Sequence, residues 1–158
     1  MNSLMAEHGP ILEQTLALRH QLMEILTDED LGYSPGGDNP TLGALCREMG
    51  EVQQSYVTSF QTFEQEFRHR EQPELEGSVE RLTAWFNRLD REFKETLESL
   101  SEEDLQNRVI DRGGGFVIPP TIQYHIYREA LLIFFAKASV YLKGLGKALP
   151  EQWQAWIA

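Results

Sequence analysis

Cysteine, basic residues and long apolar runs are all scarce in this chain, and each shortage removes a class of function. Cys46 is the one cysteine in 158 residues, so no intramolecular disulfide can form, and a reducing compartment, by default the cytoplasm, is expected. No apolar run approaches the roughly 18 to 20 residues of a membrane span. The opening MNSLMAEHGP has Glu7 where a signal peptide needs an apolar core, so neither insertion nor export is expected. With 14 Lys and Arg against 25 Asp and Glu the net charge is −11, a balance that repels phosphate backbones and anionic lipid. Nucleic acid and membranes are therefore not expected partners. Gly113-Gly114-Gly115 lacks the Lys-Ser/Thr of a phosphate loop, and Cys46 has no Cys-x-x-Cys partner and no adjacent histidine.

What the chain has in quantity is helical spacing. Ile11, Thr15, Leu18, Leu22 and Ile25 step by four and three, which predicts a first helix starting at Pro10 or one turn earlier. Gly32 to Pro40 is turn chemistry throughout, and a second helix follows from about Thr41 through Leu45, Met49, Val52, Tyr56, Phe60, Phe63 and Phe67. Arg68 to Gly77 is polar, holds Pro73, and reads as a solvated link. Ser78 caps a third helix carrying Leu82, Phe86, Leu89, Phe93, Leu97 and Leu100. Asn107 to Val117 is the one place for extended structure, a small hairpin turning on three glycines. The fourth helix, from Pro120 to Gly144, contains seven successive apolar residues from Ala130 to Ala136, so it is expected to be surrounded by other elements. A last short helix begins at Pro150, with Trp153 and Trp156 expected to pack it back. The predicted architecture is all-α, one domain over 1–158 built as a four-helix bundle. Leu26-Thr27-Asp28-Glu29-Asp30-Leu31 and Leu100-Ser101-Glu102-Glu103-Asp104-Leu105 echo each other, each preceding a glycine-rich loop and a Pro-Thr helix start, as two copies of one helical hairpin would.

Glu48, His125 and Glu129 form the grouping that could carry chemistry. His125 and Glu129 share the i, i+4 step that aims two side chains alike, and Glu48 borders the apolar stripe of the second helix. Imidazole with carboxylates suits zinc, nickel, manganese or iron. Glu129, with Ile126, Leu132 and Ile133 as helical neighbours, is expected to be desolvated and paired. The competing reading is structural: Glu129 pairs with His125 or Arg128, and Glu48 is a surface carboxylate beside Arg47.

The two Leu-Thr/Ser-x-Glu-Asp-Leu turns, the Pro40-Thr41-Leu42-Gly43-Ala44-Leu45 helix start, and the ending Ala136-Lys137, Tyr141-Leu142-Lys143, Gly146, Pro150 resemble the DinB-like superfamily over nearly the whole chain. The resemblance implies an up-down-down-up four-helix bundle, frequent homodimers and, in many members, a divalent metal on three histidines. Those positions fall here on Glu48, Ala130 and Phe134, two of which cannot ligate. Two functions follow: a dimeric binding or scaffold protein enclosing a small-molecule pocket, or a metal-dependent hydrolase or thiol transferase of the bacillithiol type on a rebuilt Glu48/His125/Glu129 site. Aromatic residues on the second and third helices, with Trp85 beside Phe86, are expected to offer the dimer surface.

Overall fold

Asn2 sets the start of the first helix. Its Oδ1 accepts the Met5 N–H at 2.9 Å, while its Nδ2 donates to the Leu97 and Leu100 carbonyls at 2.7 and 2.8 Å. One side chain thus caps a helix and fastens it to the end of another. In the computed structural model, which describes residues 1–70 and 72–157, α1 accordingly spans Ser3–Ile25. It begins about two turns ahead of Pro10 and carries that proline inside. A 3-10 turn over Glu29–Gly32 leads to α2, Leu42–Thr62; then come α3, Pro73–Glu76, and α4, Val79–Ser99. The order continues with α5, Glu102–Asn107, β1, Ile110–Asp111, β2, Val117–Ile118, α6, Pro120–Gly144, and α7, Glu151–Trp156. Glu71 of the predicted link and Ala158 lie outside the described residues.

The two echoed turns use the same hydrogen bonds. Thr27 N–H donates to Asp30 and Asp30 N–H to Thr27 Oγ1; Ser101 and Asp104 repeat the exchange at 3.0 Å each way. The hairpin forms as predicted, with Ile110 opposite Ile118, and Gly113, Gly114 and Gly115 take φ of 88°, 62° and 80°, values that favour glycine.

α2 stops short of Phe67. Phe63 turns left-handed at φ 62°, and the chain beyond pairs with the hairpin: Asp111 N–H donates to the Phe63 carbonyl at 2.9 Å, and Gln65 N–H to the Asp111 carbonyl at 2.7 Å. Backbone pairing with a distant segment overrides the helical spacing, and Phe67 is left 48 % exposed rather than in the core.

Side-chain contacts fix the topology. Asn2 at Leu97 and Arg19 at Asp90 set α1 antiparallel to α4, whereas Gln53 at Asp90 and Gln61 at Thr96 set α2 parallel to α4. Thr15 at Arg128, with His8 at Tyr124, makes α1 and α6 parallel; Ser59 at Gln123 and Glu48 beside Tyr141 make α2 and α6 antiparallel. This is the up-down-down-up bundle, with α1 diagonal to α2. Since α2 and α4 run the same way, the intervening segment must return along the bundle. It is not a freely solvated link: Arg47 of α2 donates to Glu76 at 2.6 Å, Arg70 N–H donates to Glu51 at 3.0 Å, and Leu75 is buried. α7 folds back with Trp153 fully buried, its Nε1 donating to the Leu18 carbonyl at 2.9 Å, while Trp156 stays half-exposed. No helix among the described residues is long and apolar enough to cross a membrane.

α6 departs from expectation on its outer side, where Ile122, Ile133 and Val140 are exposed. Trp85 departs in the other direction. It lies buried across Gly50, where a Cβ would fall inside the contact distance of the indole six-membered ring, and so does not broaden an exposed apolar face of α4. Glycine in a helix interior costs up to about 1 kcal/mol relative to alanine, yet here alanine must displace a packed ring. Gly50→Ala is expected to destabilise the fold by about 1–3 kcal/mol in urea denaturation. Adding Trp85→Leu should recover part of that loss; a stabilised single variant would refute the packing.

Candidate functional site

α2 and α6 cross near the top of the bundle, and the loop from Tyr33 to Pro40 closes over the crossing. Thr41 caps α2 by accepting the Ala44 N–H at 3.1 Å, which aims Leu45 and Glu48 toward α6. Pro35, Asn39, Pro40, Leu45, Glu48, Lys137, Val140 and Tyr141 line the resulting groove, about 290 Å³ in volume. The Tyr141 hydroxyl donates to the Pro40 carbonyl at 2.7 Å and holds the loop down. Burial, then the nearby Glu48 and Tyr33, raise the Tyr141 pKa, so the phenol stays protonated and donating at neutral pH.

Glu48 is half-buried in this groove and makes no ion pair among the described residues. Arg47, its sequence neighbour, is bound instead to Glu51 at 2.7 Å and to Glu76. Lys137 lies across the groove with its Nζ 5.5 Å from the Phe134 ring centroid. A second groove, about 350 Å³, opens between α2, Trp85 and the crossover, but its charges are largely paired: Glu51 with Arg47 and His69, Arg68 with Glu66.

The three residues singled out from sequence do not converge. His125 packs edge-on against His8 at 4.7 Å between ring centroids, in the groove between α1 and α6. Glu129 is exposed rather than desolvated, and Arg128 donates to Thr15 at 3.1 Å instead of to Glu129. Glu48 faces Lys137 and Tyr141, and His125 lies twelve residues before Lys137 on the same helix, about 18 Å away at about 1.5 Å per residue. Among the described residues no three His, Cys, Asp or Glu side chains gather as a metal site would require. The donors present do not fit a three-ligand metal centre at Glu48.

A family model for the DinB superfamily matches residues 11–131. The chain belongs to the DinB superfamily. Among curated proteins none matches it. The matched segment takes in α1 from Ile11, all of α2 and α4, and α6 as far as Leu131, so it includes the Glu48 side of the groove.

Inside this DinB bundle lies a polar cluster absent from the sequence reading. Arg19 is fully buried, bonded to Asp90 and donating to Gln53 at 2.6 Å; Gln53 donates to the same Asp90 oxygen at 2.9 Å. The guanidinium rests on the Phe86 ring, 4.1 Å from its centroid, and His20 Nε2 reaches the other Asp90 oxygen at 3.2 Å. Burial by itself would raise the Asp90 pKa, but the Arg19 charge and hydrogen bonds from His20 and Gln53 outweigh it and hold the carboxyl below its usual value of 3.8. Cys46 is also fully buried, and burial pushes its thiol up to about 12. It is protonated at neutral pH and is no nucleophile.

Because the folded-state pKa of Asp90 is depressed, its stabilisation is present above about pH 4 and is lost as pH falls through the folded value. Asp90→Ala, which leaves Arg19 uncompensated, is expected to cost about 3–5 kcal/mol at pH 7. Asp90→Asn should flatten the acid limb of the stability profile, measured by urea denaturation from pH 2 to 7. An acid limb unchanged in Asp90→Asn would show that other carboxylates carry it.

Proposed function

We propose that this DinB-superfamily chain is a binding protein rather than an enzyme, and that the Glu48 groove takes a small organic ammonium compound with an apolar body. Glu48 carries the reading. A half-buried carboxylate without a counter-ion loses hydration and gains nothing in return, and a cationic ligand group would supply the missing partner. Leu45, Val140, Pro35 and Pro40 give the apolar walls that bury the rest of such a ligand, and about 290 Å³ sits at the small end of ligand pockets. The net charge of −11 draws cations toward the surface. The distance between Glu48 and His125 supports binding over metal chemistry, since a hydrolase or thiol transferase on Glu48, His125 and Glu129 needs all three around one ion.

Isothermal titration of hexylammonium, hexanoate and zinc into wild type, Glu48→Gln and His125→Ala separates these functions. Hexylammonium is expected to bind at one site and hexanoate not to bind. Glu48→Gln should weaken the amine by at least about tenfold, the scale of one charge-assisted hydrogen bond of about 1.5–3 kcal/mol. Failure of the amine to bind would remove this ligand class. Stoichiometric zinc binding lost in both Glu48→Gln and His125→Ala would overturn the binding function in favour of the enzyme.

A further inference from the structure

Arg112 is the opposite of Glu48 in charge and in place. It stands at the far end of the contact between α2 and α6, where the hairpin meets Tyr56 of α2 and Gln123 of α6. In a chain with 14 basic residues against 25 acidic ones, a half-buried guanidinium is expected to hold a carboxylate. Among the described residues Arg112 holds none. Its Nη1 donates to the Gln123 amide oxygen at 2.6 Å and to the Tyr56 hydroxyl at 3.4 Å, both neutral groups. Gln123 is fully buried and is itself held, its Nε2 donating to Ser59 Oγ at 2.8 Å and to Gln65 Oε1, so the guanidinium is fixed from behind. Asp111, the acid beside it in sequence, accepts the Gly113 N–H at 2.7 Å instead.

Fixing Nη1 decides what remains. Nε and Nη2, the two parallel donors along the side of the fork, have no partner among the described residues and are open to solvent. That edge matches the two oxygens of one carboxylate. The surroundings are aromatic. The guanidinium carbon lies 5.7 Å from the Tyr56 ring centroid and 6.0 Å from that of Phe67, and Phe116 stands across the hairpin, its carbonyl accepting the Arg112 N–H at 2.8 Å. Phe67 is 48 % and Phe116 56 % exposed, so apolar rings and unused donors reach the surface together. A carboxylate bonded to the fork lies in the guanidinium plane, and an aromatic ring conjugated to it lies in that plane too, which carries the body of the ligand out along the exposed rings. A flexible alkyl carboxylate makes the same charge contact but must order its chain for little ring contact in return.

We propose that Arg112, with Phe67 and Phe116, forms a second binding site, one for a small aromatic carboxylate. Arg112 bonds the carboxylate through Nε and Nη2, the two phenylalanines receive the ring, and Gln123 and Tyr56 position the guanidinium. The site stands whether or not the Glu48 groove takes an ammonium ligand, since its residues are different and its probe carries the opposite charge.

Isothermal titration of 2-naphthoate into the full chain is expected to show one site, while hexanoate, which has the charge but no ring, should not bind. Arg112→Gln should lower the 2-naphthoate affinity by at least about tenfold, the weight of one bidentate charge-assisted contact. Arg112→Lys keeps the charge, loses the fork, and should lose most of the same affinity. Phe116→Ser should weaken binding severalfold with an unchanged circular dichroism spectrum and melting temperature, because the ring is mostly exposed, and it carries the test should Gln123 need Arg112 for folding. In proton–nitrogen correlation spectra the shifts caused by 2-naphthoate should centre on the Gln123 side-chain amide and the backbone from Gly113 to Phe116. No binding of 2-naphthoate at about 10 millimolar, equal binding of hexanoate, affinity unchanged in Arg112→Gln, Arg112→Lys or Phe116→Ser, or shifts centred elsewhere would each overturn the site.

Discussion

The buried contact of Arg19 with Asp90 and Gln53 is the constraint on which the bundle's arrangement depends. A guanidinium in the core needs a carboxylate, and here the partners come from α4 and α2, so one interaction sets three helices against one another. Apolar faces alone tolerate sliding. Moving α4 one turn past α1, about 5.4 Å, would strand both charges in the interior, a loss of about 3–5 kcal/mol for a broken buried pair. The Asn2 cap on the Leu97 and Leu100 carbonyls belongs to the same register, two turns of α4 farther along. The shared oxygen of Asp90, bonded by both Arg19 and Gln53, makes the three groups a network in which each bond supports the others.

The bundle was legible in the sequence because three of its long helices keep one apolar row at three-four spacing. Arg19, Gln53 and Asp90 were legible by the same rule and passed over: each falls on a core step of its helix, Arg19 between Leu16 and Leu22, Gln53 between Met49 and Tyr56, and Asp90 between Phe86 and Phe93. Opposite charges on core steps of different helices are a signal of a buried pair. α6 offered no such guide. Apolar on both sides, it does not say which face turns inward; of the residues that made Glu129 look enclosed, Ile133 is exposed along with it and Ile126 and Leu132 are only partly buried. His125 and Glu129 share a step but not a common destination, the one stacked on His8 and the other in solvent.

The polar segment after α2 shows why charge is a poor guide to exposure. Parallel α2 and α4 demand a connection as long as the bundle, and ordering a connection of that length costs conformational entropy at every residue, which its contacts must offset. Arg47 and Glu51 fasten it, through Glu76 on one side and through the Arg70 backbone and His69 on the other. These pairings join residues 18 to 29 apart in sequence, beyond the reach of any local pattern. By engaging Arg47 they also decide the state of Glu48, which loses the one cation beside it in the chain.

Where chemistry can occur then follows from what the interior has already used. Asp90 and Glu51 are buried acids; Arg19 and Gln53 bond one Asp90 oxygen and His20 stands 3.2 Å from the other, while Glu51 is held by Arg47. Cys46, held protonated by burial, offers no thiolate, and the inward side of α6 at this level is Tyr127, Leu131, Phe134 and Phe135. A substrate entering the bundle would have to displace an ion pair or close-packed rings, a loss that its binding energy would have to offset. The concave surface left open lies at the groove where α2 crosses α6. Glu48 stands in that groove, half-buried by the fold and, among the described residues, in no ion pair.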